Sequence, residues 1–217
     1  MKKITLIIAA FLISGSMFAQ FHFGPQIGYS ASKLSLNTSD ITSSLKSNFL
    51  AGVFFRFGKK IYVQPEVNWM TQGSVFKYPE VNLGGSDLSP FEQDIKLSNI
   101  NIPISLGWRI INLEVVNIRL FAGINANIVL NKTINNSQDI SDVDEDLFKP
   151  ITEADIKDLA WNYQAGLGVD VLMFAIDVKY VGAFGEPIAG DIHYNEQTKS
   201  ISSSGSTFLV TLGWKIF

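Results

Sequence analysis

The chain has 217 residues, 47% of them hydrophobic and 17% charged, with a formal net charge of −3 and no cysteine. That length suits one domain, and the lack of cysteine excludes a disulfide framework, thiolate metal sites and a lipid anchor on an N-terminal cysteine. No basic patch offsets the acidic balance, so no nucleic-acid partner is expected, and no stretch beyond the N-terminus approaches the roughly 18 unbroken apolar residues of a membrane helix.

The first segment reads as a secretory signal. Lys2 and Lys3 form a basic start, Ile4 to Ile13 an apolar run, and small residues follow with a cut expected between Ala19 and Gln20. Met17 is larger than the residue usual at its place before the cut. An uncleaved anchor is the alternative, disfavoured by the shortness of the apolar run. The division expected is a signal peptide over residues 1–19 and one barrel domain over residues 20–217, whose net charge would be −5 once Lys2 and Lys3 are removed from a chain of −3.

From Gln20 onward, apolar and non-apolar residues alternate in a series of stretches with the period of a two-faced strand. These run Phe21 to Ser30, Asn48 to Gly58, Ile61 to Met70, about Leu97 to Ile110, Ile118 to Leu130, Ala160 to Val171, Phe174 to Val181 and Thr207 to Phe217. Short connections near Lys59, Glu114 and Leu172 alternate with long ones over residues 31–47, 71–96, 131–159 and 182–206. Outer-membrane barrels show this asymmetry, with short periplasmic turns and long external loops. The reading is therefore all-β: an eight-stranded antiparallel up-and-down transmembrane β-barrel with both termini periplasmic, exported to the outer membrane of a Gram-negative bacterium. In the third long loop, Thr152-Glu153-Ala154-Asp155 resembles a capping box and suggests a short helix before Ile156 to Leu159.

One face of these strands carries residues such as Ile27, Val53, Val67, Ile104, Leu120, Leu167, Val178 and Leu212, and not one charge. The other holds Arg56, Glu66, Arg109, Arg119, Asp170, Asp177, Lys179 and Lys215, many amides, and glycines including Gly24, Gly52, Gly107, Gly123, Gly166, Gly168 and Gly213. Periodicity alone does not say which face points inward, and a soluble lipocalin-like ligand-binding barrel would turn the apolar face in. Two arguments turn it outward to lipid. An eight-stranded barrel has little interior room, which suits the glycine-rich face. The aromatics also fall at two heights: Tyr29, Trp69, Trp161, Tyr163 and Tyr180 near the outer rim, and Trp108 and Trp214 near the periplasmic rim with Phe21, Phe57 and Phe174. Membrane proteins keep aromatic belts at those levels. The charged side chains would then be lumenal and must be paired, which predicts a cross-strand network and a closed lumen more readily than an open pore.

Several of these stretches resemble the PorT-like family of outer-membrane β-barrel proteins. The resemblance lies in Phe23-Gly24-Pro25-Gln26-Ile27-Gly28, Val63-Gln64-Pro65-Glu66-Val67 and Ile100-Asn101-Ile102-Pro103-Ile104, and later in Leu120-Phe121-Ala122-Gly123, Gly166-Leu167-Gly168 and Asp177-Val178-Lys179-Tyr180. Asn99 and Asn101 stand where the family usually has tyrosine and glutamate. The resemblance implies the barrel fold and a link to type IX secretion, the role of the member for which the family is named. The terminal Phe217 resembles the aromatic read by the barrel-assembly machinery, although Ile216 rather than Phe217 shares the lipid face.

Chemistry is sparse. The two histidines are His22, at the periplasmic mouth, and His193, in the fourth long loop near Asp191 and Glu196. His193 is the one candidate for a barrel enzyme acting on lipid or peptide, which would need a histidine beside a nucleophile and a carboxylate. Asp139, Asp142, Asp144, Glu145 and Asp146 lack the spacing and the glycine of a Ca²⁺ loop. Neither a catalytic set nor a metal site nor a cofactor is expected. The expected partners are outer-membrane lipid, the assembly machinery during biogenesis, and a protein at the external loops, with a structural or docking role leading over the enzyme and the soluble barrel.

Overall fold

The computed structural model describes residues 21–36, 42–44, 46–78, 81–82, 87–88, 91–113, 115–137, 148–185, 189–194 and 197–216. The expected signal peptide over residues 1–19, the acidic run 139–146 and the expected assembly signal Phe217 lie outside the described residues.

Eight long strands build the wall: β1 (Phe21–Leu36), β2 (Lys46–Phe57), β3 (Ile61–Lys77), β4 (Glu92–Asn112), β5 (Val116–Asn136), β6 (Leu159–Val171), β7 (Phe174–Ala183) and β8 (Gln197–Trp214). Each pairs antiparallel with the next, and β8 returns to β1 in the register Gln26↔Gly213, which closes the ring. Closure leaves no unpaired edge at membrane depth, the condition for a sheet to cross hydrocarbon. At membrane depth isoleucine, valine and aromatic residues stand outward, and polar or small residues stand inward together with Leu50, Phe54, Tyr62, Met70, Phe121 and Leu209.

The β2–β3 reversal uses Gly58 at φ +124°, where an added Cβ would meet the backbone of Ile61 and Tyr62. The β6–β7 reversal is the pair Leu172-Met173, with Val171 opposite Phe174 and Leu172 at φ +52°.

The strands run further outward than the alternating pattern suggests. Residues expected in long loops are paired: Val75–Lys77 with Gln93 and its neighbours on β4, and Gln93–Lys96 with Thr133–Asn136 on β5. The last strand correspondingly begins at Gln197 and ends at Trp214, not at Phe217. The reason lies in the outward face. Above Trp69 it becomes Thr71, Gly73, Val75 and Lys77, so the lipid signature stops while the hydrogen-bonded ladder continues. Shorter strands decorate this upper wall: Thr42–Ser44 pairs with β3, and Ala189–Tyr194 pairs with both β8 and Phe148–Lys149.

A bulge marks the change of level on β5. Asn99 pairs with Val129 but Ser98 pairs with Asn131, leaving Leu130 as the extra residue. Below it, Arg119, Asn125 and Asn127 point inward; above it, Lys132 and Asn136 stand opposite the lumenal Leu97 and Gln93. The expected short helix proves to be one 3-10 turn, Glu153–Asp155, in which the Asp155 carboxylate accepts from the Thr152 backbone N–H at 2.8 Å and from its hydroxyl at 2.7 Å. The turn ends at Ile156, whose backbone is extended and whose side chain is buried.

Space inside is scarce. A Cβ built on Gly107 would lie 2.1 Å from Cζ of Tyr62. Gly107→Ala should therefore destabilise the folded barrel by roughly 1–3 kcal/mol, whereas Ala122→Val on the lipid face should change it by less than about 0.5 kcal/mol. Urea titration of the electrophoretically compact form measures both; equal stabilities would contradict the packing described.

Candidate functional site

Two layers of side chains lie in the lumen's periplasmic half and middle, and a third is gathered at its outer mouth. The lowest is an arginine cluster. Arg56 comes from β2, Arg109 from β4, Arg119 from β5, Asp170 from β6, Asp177 from β7, and Lys215 follows β8. Arg56 donates from Nη1 to Asp170 at 2.8 Å and from Nε to Gln64 at 2.7 Å. Arg119 Nη2 lies 2.6 Å from Asp177 and 2.8 Å from Asp170, and Lys215 Nζ lies 3.6 Å from Asp170. Arg109 and Arg119 are direct cross-strand partners, a repulsive arrangement by itself. The Tyr62 ring moderates it, since the guanidinium carbons of Arg56, Arg109 and Arg119 stand 5.1, 5.8 and 5.8 Å from its centroid. Arg119 also donates to the Tyr62 hydroxyl at 3.1 Å.

The next layer centres on Glu66, which β3 projects inward. Lys179 of β7 reaches across the lumen to both its oxygens, at 2.6 and 2.8 Å. Gln26 and Gln64 donate to the same carboxylate at 2.8 Å each, and Asn68 at 3.1 Å. Five donated hydrogen bonds satisfy a charge whose residue is 1% exposed, the condition under which a buried ion pair is tolerated. Amides continue outward, with Asn101 donating to Asn125 at 2.7 Å, and Asn99 and Asn127 both donating to Gln72. The charged residues singled out in the sequence thus fall into two groups: Glu66 with Lys179, and the other six around Asp170 and Tyr62.

The third layer lies at the outer mouth. Ile151 and Ile156, from the segment between Phe148–Lys149 and β6, are buried, as are Phe76, Tyr78, Phe91 and Ile95 at the mouth. The Tyr78 and Phe91 rings are 5.5 Å apart. Gln93 donates to the Ile151 carbonyl at 2.9 Å and accepts from the Tyr78 hydroxyl at 3.1 Å. Burial pushes the Tyr78 hydroxyl above its ordinary range, which keeps it in the donating form. Lys132 donates to the carbonyls of Ile156 at 2.6 Å and Glu153 at 3.0 Å, and pairs with Asp158 at 2.7 Å.

Reading the sequence alone misses this cap and three lumenal rings, Phe54, Tyr62 and Phe121. The rings had a signal: each shares parity with a lumenal charge, and each has a glycine standing against it, Gly107 and Gly166 on the strands next to Tyr62 and Phe121, and Gly213 two strands away from Phe54, beyond β1. The aromatic-belt residues Tyr29, Trp69, Trp108, Trp161, Tyr163, Tyr180 and Trp214 are exposed on the outer wall. Tyr163, Tyr180, Phe184 and Phe208 form one aromatic run there, with centroids 5.3 to 6.3 Å apart. The backbone of His193 lies in the strand Ala189–Tyr194, but its side chain is outside the described set, as is residue 196.

Removing one partner of the central pair leaves a buried charge. Lys179→Met should cost roughly 3–5 kcal/mol, and adding Glu66→Gln should restore much of that loss. Unfolding in urea followed by tryptophan fluorescence separates the single from the double variant; additive losses would mean that the pair is not coupled.

Comparison with known proteins agrees with this architecture. OprG from Pseudomonas aeruginosa is similar in fold, at a TM-score of 0.52 and 12% identity, over 90% of this chain and 94% of its own. Ail from Yersinia pestis aligns at 14% identity over 91% of this chain and 99% of its own, with a TM-score of 0.45. No curated protein sequence matches. The family described as outer membrane protein beta-barrel domain matches residues 18–187. The chain belongs to that family, and its place is the bacterial outer membrane.

Proposed function

We propose that this barrel is a non-enzymatic, non-conducting outer-membrane element that works by docking a partner on its external loops. The observation that carries the reading is the occupancy of the lumen. The Glu66–Lys179 bridge spans it, the Arg56–Asp170–Arg119 cluster lies below, and Ile151 and Ile156 are buried at the outer mouth. A through-path would have to break buried ion pairs, which are expensive to separate in a low-dielectric interior. The loops are where variable recognition is expected, and segment 150–158 is held firmly enough by Gln93 and Lys132 to present a defined surface.

The strand motifs around Gln64-Pro65-Glu66 and Ile102-Pro103 support kinship with PorT-like proteins, and on that reading the docked partner belongs to a type IX secretion assembly. The absence of enzymatic activity is part of the proposal. His22 stands opposite Arg56 at the periplasmic end, remote from the loops, and His193→Ala should leave the lipid profile of the outer membrane unchanged.

Purified protein in planar bilayers should give no step conductance above the lipid background; sustained channels would overturn the closed lumen. A photocrosslinker at Lys157 in intact outer membranes should give one discrete protein adduct that is lost when residues 150–156 are replaced around the retained label. Without such an adduct, the docking role fails.

A further inference from the structure

The periplasmic turns differ sharply in chemistry. The β2–β3 turn is Gly58-Lys59-Lys60, with both lysines exposed and glycine at the positive φ. The β6–β7 turn is Leu172-Met173, and here leucine holds φ +52° and is 64% exposed. In a water-facing two-residue hairpin turn that place goes to glycine, asparagine or aspartate, which accept the left-handed backbone and favour solvent. Leucine carries two penalties there, one for the backbone and one for the exposed apolar surface, so the environment must repay at least the second. Beside it, the β4–β5 connection, Ile111-Asn112-Leu113-Glu114-Val115, exposes Ile111, Leu113 and Val115 by 41, 63 and 51%. Leu172 donates its backbone N–H to the Val115 carbonyl at 2.9 Å, so the two turns are one unit.

We propose that Ile111, Leu113, Val115, Leu172 and Met173 form an apolar foot immersed in the acyl chains of the inner leaflet, so that the barrel sits deeper on the β4–β7 flank. Lys59 and Lys60, at the turn across the ring from Leu172-Met173, rest at the phospholipid headgroups. The foot is continuous with the lipid-facing wall: Trp108 and Ile110 lead into Ile111 and Leu113, and Phe174 and Trp214 flank Met173, all of them exposed. The apolar band is also unequal around the ring. Taking about 3.4 Å per residue and a strand tilt of about 40°, Trp161 to Leu172 covers about 28 Å of membrane normal, and Trp69 to Ile61 about 21 Å. Tilting the axis sets both ends of the longer band in apolar surroundings and spares the bilayer a local mismatch.

The chain has no cysteine, so single nitroxide labels are introduced without further change. Leu113→Cys, Leu172→Cys and Lys59→Cys are compared in the full-length protein folded into vesicles of phosphatidylethanolamine and phosphatidylglycerol, with Val178→Cys as the lipid-facing reference. Met173→Cys probes the same turn without touching the left-handed position. Labels at Leu113, Leu172 and Met173 should collide with dissolved oxygen as the reference does and be shielded from a water-soluble nickel chelate, while the label at Lys59 is open to the chelate. If the labels at Leu113 and Met173 meet the chelate as readily as Lys59, the foot stands in water and the proposal falls. Shielding accompanied by spin–spin broadening between labels would assign the surface to a second copy of the chain, and would equally overturn it.

Discussion

An eight-stranded barrel encloses little more than its own inward side chains, and whatever projects there must be packed and hydrogen-bonded with almost no water to help. Much of this molecule answers that one constraint. Lumenal rings and guanidinium groups fit because glycines on adjoining strands leave room for them; a Cβ on Gly168 would sit within 2.6 Å of the Arg119 guanidinium carbon. Tyr62 then serves several arginines at once, as a π face and as a hydroxyl acceptor. Glu66 gathers its donors from β1, β3 and β7, so a single carboxylate ties together three parts of the ring.

The outer wall follows from the inner one. With every polar group committed to the lumen, the lipid face is free to be uniformly apolar, and lipid supplies contacts that a second layer of protein would give a soluble sheet. Above the membrane the same ladder continues under different rules: charges such as Lys77 and Glu92 pair on the outside at 2.6 Å, and the apolar residues move inward to hold the cap. The polar and apolar sides of the wall therefore exchange places along the height of the molecule.

The parts of this architecture that repeat every two residues were legible in the sequence. Strand order, the lipid face and the identity of the lumenal charges all depend on parity, and parity survives from Ile61 to Trp69 or from Phe174 to Tyr180 without interruption. Other features depend on which strands become neighbours across the lumen, and no local pattern carries that. Lys179 and Glu66 lie 113 residues apart in the chain, and nothing near either names the other. The outer cap escaped for a related reason. Phe76, Phe91 and Ile151 sit in polar surroundings that read as loop, and their burial appears only when the segment 150–158 is laid across the mouth.

The bulge at Leu130 has a consequence for how such a chain can change over time. It acts as a frame shift in a two-letter code: below it the odd positions of β5 read lumen and the even ones lipid, and above it the even ones read inward. A register error introduced above the bulge has somewhere to be absorbed before it reaches the buried ion pairs. The external half can accordingly gain, lose or exchange residues while the membrane half keeps its frame, and one membrane-embedded pedestal can carry many different crowns.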